Sequence, residues 1–264
     1  MNFSIYQSSR IGGRKYNQDR VAYAYTDEAL LLVLADGMGG HLHGEIAAQT
    51  AIHMYMQAFA QVAHPRVPEP VGFLQDVMQF SHDTILKYAS DHQLPSNPGT
   101  TCVAALVQDG QAHWAHAGDS RLYLLRNREL LSMTHDHSLV QQWADWGILA
   151  PDEIRTHPDR NKITNCLGGV PTMFFSESSP SLPIQQGDLL LLCSDGLWGP
   201  LEDADMAAGL ESANLPGAVD ALITEAILRD GPSADNTTAL VARIGDGEEG
   251  HSTQEAVCKV LDYR

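Results

Sequence analysis

The chain has 264 residues, 44 % of them hydrophobic, enough to bury a sizeable core within one large domain. Its formal net charge of −17, from 16 Lys and Arg against 33 Asp and Glu, excludes nucleic acid as a natural partner, because binding a phosphate backbone needs clustered cations. No apolar run approaches a membrane span, "MNFSIYQSSR" lacks a basic start with a long apolar stretch, and Cys102, Cys166, Cys193 and Cys258 show no C-x-x-C spacing, which predicts a cytoplasmic chain with no membrane partner, no disulfides and no zinc knuckle.

Alternation after Asp19 in "DRVAYAY" predicts a strand, and the continuous apolar run over 29–35 predicts a buried strand paired with it. Ala47, Ala51, Met54, Ala58 and Val62 recur at helical spacing over 44–63, as do Leu74, Val77, Met78, Ile85 and Ala89 in the next segment, with the proline-rich "AHPRVPEPVG" between them. An antiparallel run follows: "TTCVAALVQ", a turn at Asp109 and Gly110, "QAHWAHAGDSRLYLLR", a turn at Asn127 and Arg128, then "ELLSMT". Residues 138–146 read as a helix, and the polar, proline-punctuated 151–169 reads as a surface flap with Trp143 and Trp146 packed at its base. Beyond the apolar run Leu189–Cys193, helices are expected over 203–213 and 217–229 and a closing strand at "NTTALVARI". The polar tail 246–264 is expected to be peripheral, with Val257, Val260 and Leu261 as a short docked helix. Strands in antiparallel runs with helix pairs between them predict an α+β sandwich, two sheets with helices packed outside.

The chemistry gathers where strands end. "LLVLADGMGG" and "DLLLLCSDGLWG" each run an apolar strand into an Asp-Gly pair, at Asp36 and Asp195. Asp and Gly suit turns, so either pair alone reads as punctuation; a rigid strand also suits a carboxylate that must be held still for chemistry. Asp119 in "HAGDSRLYL" and Asp235 in "SADNTTALV" stand at similar strand–loop junctions, where a cap or turn role competes with a ligand role. Taken with Asp19 in "NQD", they form an oxygen-only set, which suits hard cations such as Mg²⁺ or Mn²⁺.

"RKYNQD", "ADGMGGH", "GTT", "AGDSRLYL", "THDHS", "SDGLW" and "DNTT" occur in the order and spacing that resemble the metal-dependent Ser/Thr protein phosphatases of type 2C, in their bacterial branch. The resemblance runs from about Ser8 to Gly245. It implies a four-layer sandwich, two central antiparallel β-sheets flanked by antiparallel helices, with a flap subdomain over about 141–169 inside a catalytic domain spanning 1–245. It implies two tightly bound Mn²⁺ or Mg²⁺ ions and a weaker third. Asp36 would bridge the two ions, the Gly37 carbonyl would bind one, and Asp195 and Asp235 would hold the other. Asp119 would help Asp195 hold the third, Asp19 would orient a water, and Arg14 would grip the substrate phosphate, a task suited to a planar two-pronged donor. The implied reaction is hydrolysis of phosphoserine and phosphothreonine by attack of a metal-bridging water or hydroxide. The implied partners are phosphorylated proteins, among them a cognate Ser/Thr kinase or its substrates, with the phosphatase itself a monomer.

Three positions depart from family patterns. Met38 follows the first Asp-Gly where eukaryotic members carry a histidine thought to protonate the leaving group, Asn165 stands where a flap arginine is frequent, and Gln18 replaces a frequent glutamate. Two other readings compete. His41 and His43 in "HLHGE" resemble the opening of a zinc-hydrolase motif, although the further aspartate–histidine pair of that motif is absent. A catalytically impaired phosphoprotein-binding regulator is the second alternative; loss of a metal carboxylate would mark it, and Asp36, Asp195 and Asp235 are all present.

Overall fold

In the computed structural model, which describes residues 1–38, 43–169, 172, 181–245 and 257–260, the apolar runs become strands of two antiparallel sheets. In chain order the elements are β1 (Phe3–Arg10), β2 (Asp19–Tyr25), β3 (Ala29–Asp36), α1 (Gly44–Val62), α2 (Pro70–Asp91), β4 (Gly99–Thr100), β5 (Cys102–Gln108), β6 (Gln111–Ala117), β7 (Arg121–Arg126), β8 (Glu129–Met133), α3 (Leu139–Asp145), β9 (Leu167–Gly168), β10 (Leu182–Pro183), β11 (Leu189–Cys193), α4 (Asp195–Trp198), α5 (Asp203–Gly209), α6 (Leu215–Asp230), β12 (Thr237–Ile244) and β13 (Val257–Val260). One sheet has the order β1-β12-β11-β7-β8 and the other β10-β6-β5-β3-β2-β13.

The continuous apolar runs are explained by what covers each face. Along β3, Leu30, Leu32 and Leu34 pack into the core between the sheets with Leu190, Leu192 and Leu240, whereas Leu31, Val33 and Ala35 pack under α1 and α2. In the other sheet, Leu191, Cys193 and Val241 meet Leu197, Val219 and Ile223 of the second helical layer. Side chains alternate across a strand, so a strand buried on both faces must be apolar at every position. The outcome is helix, sheet, sheet, helix, the four layers that the resemblance implies.

The tight turns form as their residues dictate. Asp109, Gly110, Asn127 and Arg128 all have positive φ, the backbone shape that joins antiparallel strands through two-residue loops. α3 begins at Ser138, whose side chain accepts the Gln141 amide as an N-cap.

Several expectations are corrected. β1 is a strand that its own sequence does not announce: "FSIYQSSR" is half-exposed along most of its length and owes its place to full pairing with β12. The run "QAHWAHAGDSRLYLLR" is two strands in different sheets, β6 pairing β5 and β7 pairing β11, with Gly118–Ser120 as the crossing between layers. α5 stops at Gly209, short of residue 213. The tail contributes β13, antiparallel to β2, instead of a docked helix. Four residues are too few for a stable helix, while an open sheet edge supplies ready hydrogen-bond partners. Leu261 lies outside the described residues. Trp146, just past the last turn of α3, is 69 % exposed and does not pack at the flap base, whereas Trp143 stays half-buried with its ring edge-on to His157.

Candidate metal centre

All five sequence-predicted aspartates arrive at one end of the sandwich. Asp19 opens β2 and Asp36 closes β3, and the two residues are direct cross-strand partners. Asp195 follows the end of β11, Asp235 precedes β12, and Asp119 lies in the crossing from β6 to β7; Cys193 pairs with both Arg121 and Ala239, which brings these three junctions together. Asp36, Asp119, Asp195 and Asp235 line a single cavity of about 580 Å³, together with Gly37, Gln18, Met38 and Arg14. Asp19 is fully buried beneath it.

The junctions are tied to one another by polar groups that the sequence motifs supply. Ser194 Oγ donates to Asp19 Oδ2 at 2.8 Å, joining the two sheets under the cavity. The Thr101 amide donates to the Asp36 carbonyl at 2.9 Å, and Thr101 Oγ1 shares a 2.7 Å hydrogen bond with Ser120 Oγ, so the Asp36 and Asp119 junctions are braced together. Asn236 organises the loop that carries Arg14: its Oδ1 accepts the Gln18 amide at 2.8 Å, and its Nδ2 donates to the carbonyls of Ile11 and Tyr16. At Gly37 the start of α1 comes so close that a Cβ would sit 2.5 Å from Gly44 backbone atoms, which accounts for glycine there.

Electrostatically the site is strained in a way that a cation relieves. Burial raises the Asp195 carboxyl to about 7, with the charges of Asp235 and Asp19 adding to it. Burial raises Asp19 to about 6, against the opposing hydrogen bonds of Thr238, Ser194 and Asp36. Asp36 is held well above the usual carboxylate range by burial and then by Asp19, Asp195, Asp119 and Asp235; Asp119 is raised by burial, Asp195 and Asp136. Asp19 Oδ1 and Asp195 Oδ1 are buried with no hydrogen-bond partner. Orphaned carboxylate oxygens in an oxygen-only cluster around a roomy cavity fit hard divalent cations.

Arg14 lines this cavity, with Nη2 2.5 Å from Asp235 Oδ2. Met38, Gln18 and Asp36 all line the cavity, and no histidine among the described residues lines it. His43 occupies the left-handed N-cap of α1, and His41 falls outside the described residues. Asn165 is buried in the flap and bonds His137. Sequence reasoning missed several contributors. Arg160, inside "THPDRN", favours the ionised form of Asp195. Arg121 pairs in the interior with Asp136 at 2.9 and 2.8 Å and stacks 3.6 Å over the Trp198 ring, whose Nε1 donates to the Asp119 carbonyl. "GDSR", "THDHS" and "SDGLW" carry Arg121, Asp136 and Trp198, but a polar residue beside a strand end does not reveal in sequence which distant group it bonds.

The sequence profile of the family described as "Protein phosphatase 2C" matches residues 6–215. The chain is 35 % identical over 246 residues to a serine/threonine protein phosphatase, PstP, of Mycobacterium tuberculosis, covering 90 % of this chain and 44 % of that protein. The chain therefore spans less than half the length of that mycobacterial relative. It is 32 % identical over 231 residues to the serine/threonine phosphatase stp of Listeria monocytogenes, covering 86 % of this chain and 90 % of the relative. Among solved structures, serine/threonine phosphatase Stp1 from Staphylococcus aureus superposes with a TM-score of 0.84 at 29 % identity, over 93 % of this chain and 96 % of that one. The catalytic domain of PstP in complex with two manganese ions superposes with a TM-score of 0.76 at 30 % identity, over 92 % of this chain and 99 % of that one.

Proposed function

The chain belongs to the protein phosphatase 2C family, and from that premise we propose that it is a metal-dependent phosphatase of phosphoserine and phosphothreonine in proteins. The observation that carries this reading is the convergence of Asp36, Asp119, Asp195 and Asp235 on one cavity with buried, unpartnered oxygens at Asp19 and Asp195. Bound Mn²⁺ or Mg²⁺ supplies a water nucleophile near neutral pH and offsets the charge that builds on the transferring phosphoryl group.

The chain's own residues divide the remaining work. Asp36 and the Gly37 carbonyl, at the end of β3 in one sheet, and Asp195 and Asp235, beside β11 and β12 of the other, are the proposed holders of two ions, with Asp119 and Asp195 holding a weaker third. Arg14 grips the substrate phosphate; its guanidinium already donates to a carboxylate, that of Asp235, and phosphate presents similar anionic oxygens. Asp19, fixed through Oδ2 by Ser194, keeps Oδ1 as an acceptor that orients a water. Met38 has no proton to give, so the leaving alkoxide takes its proton from water. No nucleophilic side chain is needed, and Cys102 and Cys193 serve the core, where burial pushes both thiols up.

Residues 1–245 are assigned as the catalytic unit, with the flap over 141–169 bordering the cavity through Asn161, Ile163, Cys166 and Gly169. The proposed substrates are phosphoproteins of a bacterial Ser/Thr kinase pathway, including the kinase itself, met by a monomeric enzyme in the cytoplasm. Among the described residues no helix is long and apolar enough to cross a membrane. The test is hydrolysis of an aryl phosphate and a phosphothreonine peptide with Mn²⁺, Mg²⁺, Zn²⁺ or chelator. Turnover with Mn²⁺ or Mg²⁺ alone is expected; activity that survives exhaustive chelation, or that Zn²⁺ alone restores, overturns the reading.

A further inference from the structure

Where β6 crosses to β7, the chain leaves one sheet and enters the other, and the residues between have no strand ladder to satisfy their backbone groups. Gly118 stands at this point with φ +104, and a Cβ there would lie 2.6–2.7 Å from the Thr101 side chain. Both of its backbone polar groups go to one residue. The Gly118 amide donates to His137 Nδ1 at 3.2 Å, and the His137 amide donates to the Gly118 carbonyl at 3.0 Å. The next residue is Asp119, whose carbonyl accepts Trp198 Nε1 at 2.9 Å and whose side chain reaches the cavity.

His137 is itself held on three sides. Asn165 Nδ2 approaches the same Nδ1 at 3.2 Å, and the Thr164 amide donates to the His137 carbonyl at 2.8 Å, both from the flap. Its ring stacks on His116 with centroids 4.4 Å apart and planes 15° apart. His116 in turn is anchored through Nε2 to the His135 carbonyl at 2.7 Å. A backbone N–H can only donate, so the Nδ1 that receives the Gly118 amide carries no proton and acts as an acceptor.

We propose that His137 is a positioning residue for Asp119: its Nδ1 fixes the Gly118 amide, and through it the angle at which the Asp119 carboxylate enters the cavity. A carboxylate that must share a weakly held cation with Asp195 tolerates little displacement, since a misplacement of about 1 Å in a reacting assembly costs on the order of a hundredfold in rate. The proposal rests on the reading of Asp119 as a cation ligand.

The decisive variants separate the acceptor from the ring. His137→Phe keeps a flat ring against His116 and removes the acceptor; His137→Asn keeps an acceptor near the place of Nδ1 and removes the ring. With a phosphothreonine peptide at saturating Mn²⁺, His137→Phe is expected to lose about tenfold or more in kcat with KM within about twofold. Manganese titration by calorimetry is expected to show its weak site weakened and its tight sites retained. His137→Asn is expected to recover most of the kcat. Equal impairment of the two variants, or wild-type kcat in His137→Phe, overturns the proposal. If His137→Phe fails to fold, His137→Gln takes its place, because its longer side chain carries the amide past the position of Nδ1. Asp119→Ala distinguishes the layers: wild-type kcat there removes the premise and the proposal with it, whereas an impaired Asp119→Ala beside a normal His137→Phe removes the proposal alone.

Discussion

Asp195→Asn is expected to make the metal-free protein more stable while removing its activity. The Asp195 carboxyl sits at about 7 in the folded chain against 3.8 as its ordinary value. A raised folded value means that the native state keeps a proton that the unfolded chain has released, so stability falls as pH rises from about 4 to about 7 and is level above that. At ~1.4 kcal/mol for each unit, the ionised carboxylate costs the native state at most about 4 kcal/mol at pH 8. Asparagine carries no charge and no such cost, and Asp36 and Asp119, which both feel the Asp195 charge, are relieved with it. Urea unfolding in chelator should therefore show the variant ahead of wild type at pH 8, with the gap opening by about 3 kcal/mol from pH 5 to pH 8. Saturating Mn²⁺ should close or reverse it, because a ligand at a hundred times its dissociation constant adds about 2.7 kcal/mol to the protein that still binds it. An Asp195→Asn chain that unfolds at lower urea than wild type, at pH 8 without metal, would refute the idea that crowded carboxylates strain this end of the sandwich.

Asp36→Asn should lose more than tenfold in turnover, over about 1.4 kcal/mol in barrier, with an unchanged circular dichroism spectrum; a smaller loss removes Asp36 from the proposed ligand set. Arg14→Ala should raise KM for a phosphopeptide with a lesser fall in kcat, and an unchanged KM would leave Arg14 as a loop residue that merely pairs with Asp235. Arg121→Met should destabilise the fold by about 3–5 kcal/mol in urea titrations, since it strands Asp136, 2 % exposed, without its counter-charge; a loss below about 1 kcal/mol would show the pair to be dispensable. Brief alkylation of the native protein should label exposed Cys258 and spare Cys102 and Cys193, read by mass spectrometry; labelling of the latter two at the same rate would contradict their burial.

Much of this molecule is legible in the chain by itself. The apolar runs before Asp36 and Asp195 specify strands covered on both faces, the spacing of alanines and methionines specifies α1, and the Asp109–Gly110 and Asn127–Arg128 pairs specify reversals, because each depends on neighbours a few residues away. The same runs disclose that carboxylates stand at strand ends. Their convergence follows only from pairing: Asp19 meets Asp36 by register between β2 and β3, and Asp119 reaches Asp195 because β7 leaves the sheet of β6 for that of β11. Nothing local marks that exchange, since the halves of "QAHWAHAGDSRLYLLR" on either side of Gly118 both read as strand and neither names the sheet it joins. β1 is likewise unremarkable until Ser9 pairs with Thr238, and the role of Ser194 exists only because Asp19, from the far end of the chain, folds beneath it. Local preference sets the shape of each segment through its own backbone and side-chain sterics. Which segments share a sheet is decided by hydrogen bonds and burial between residues distant in sequence, and it is at those meetings that the carboxylates become one site.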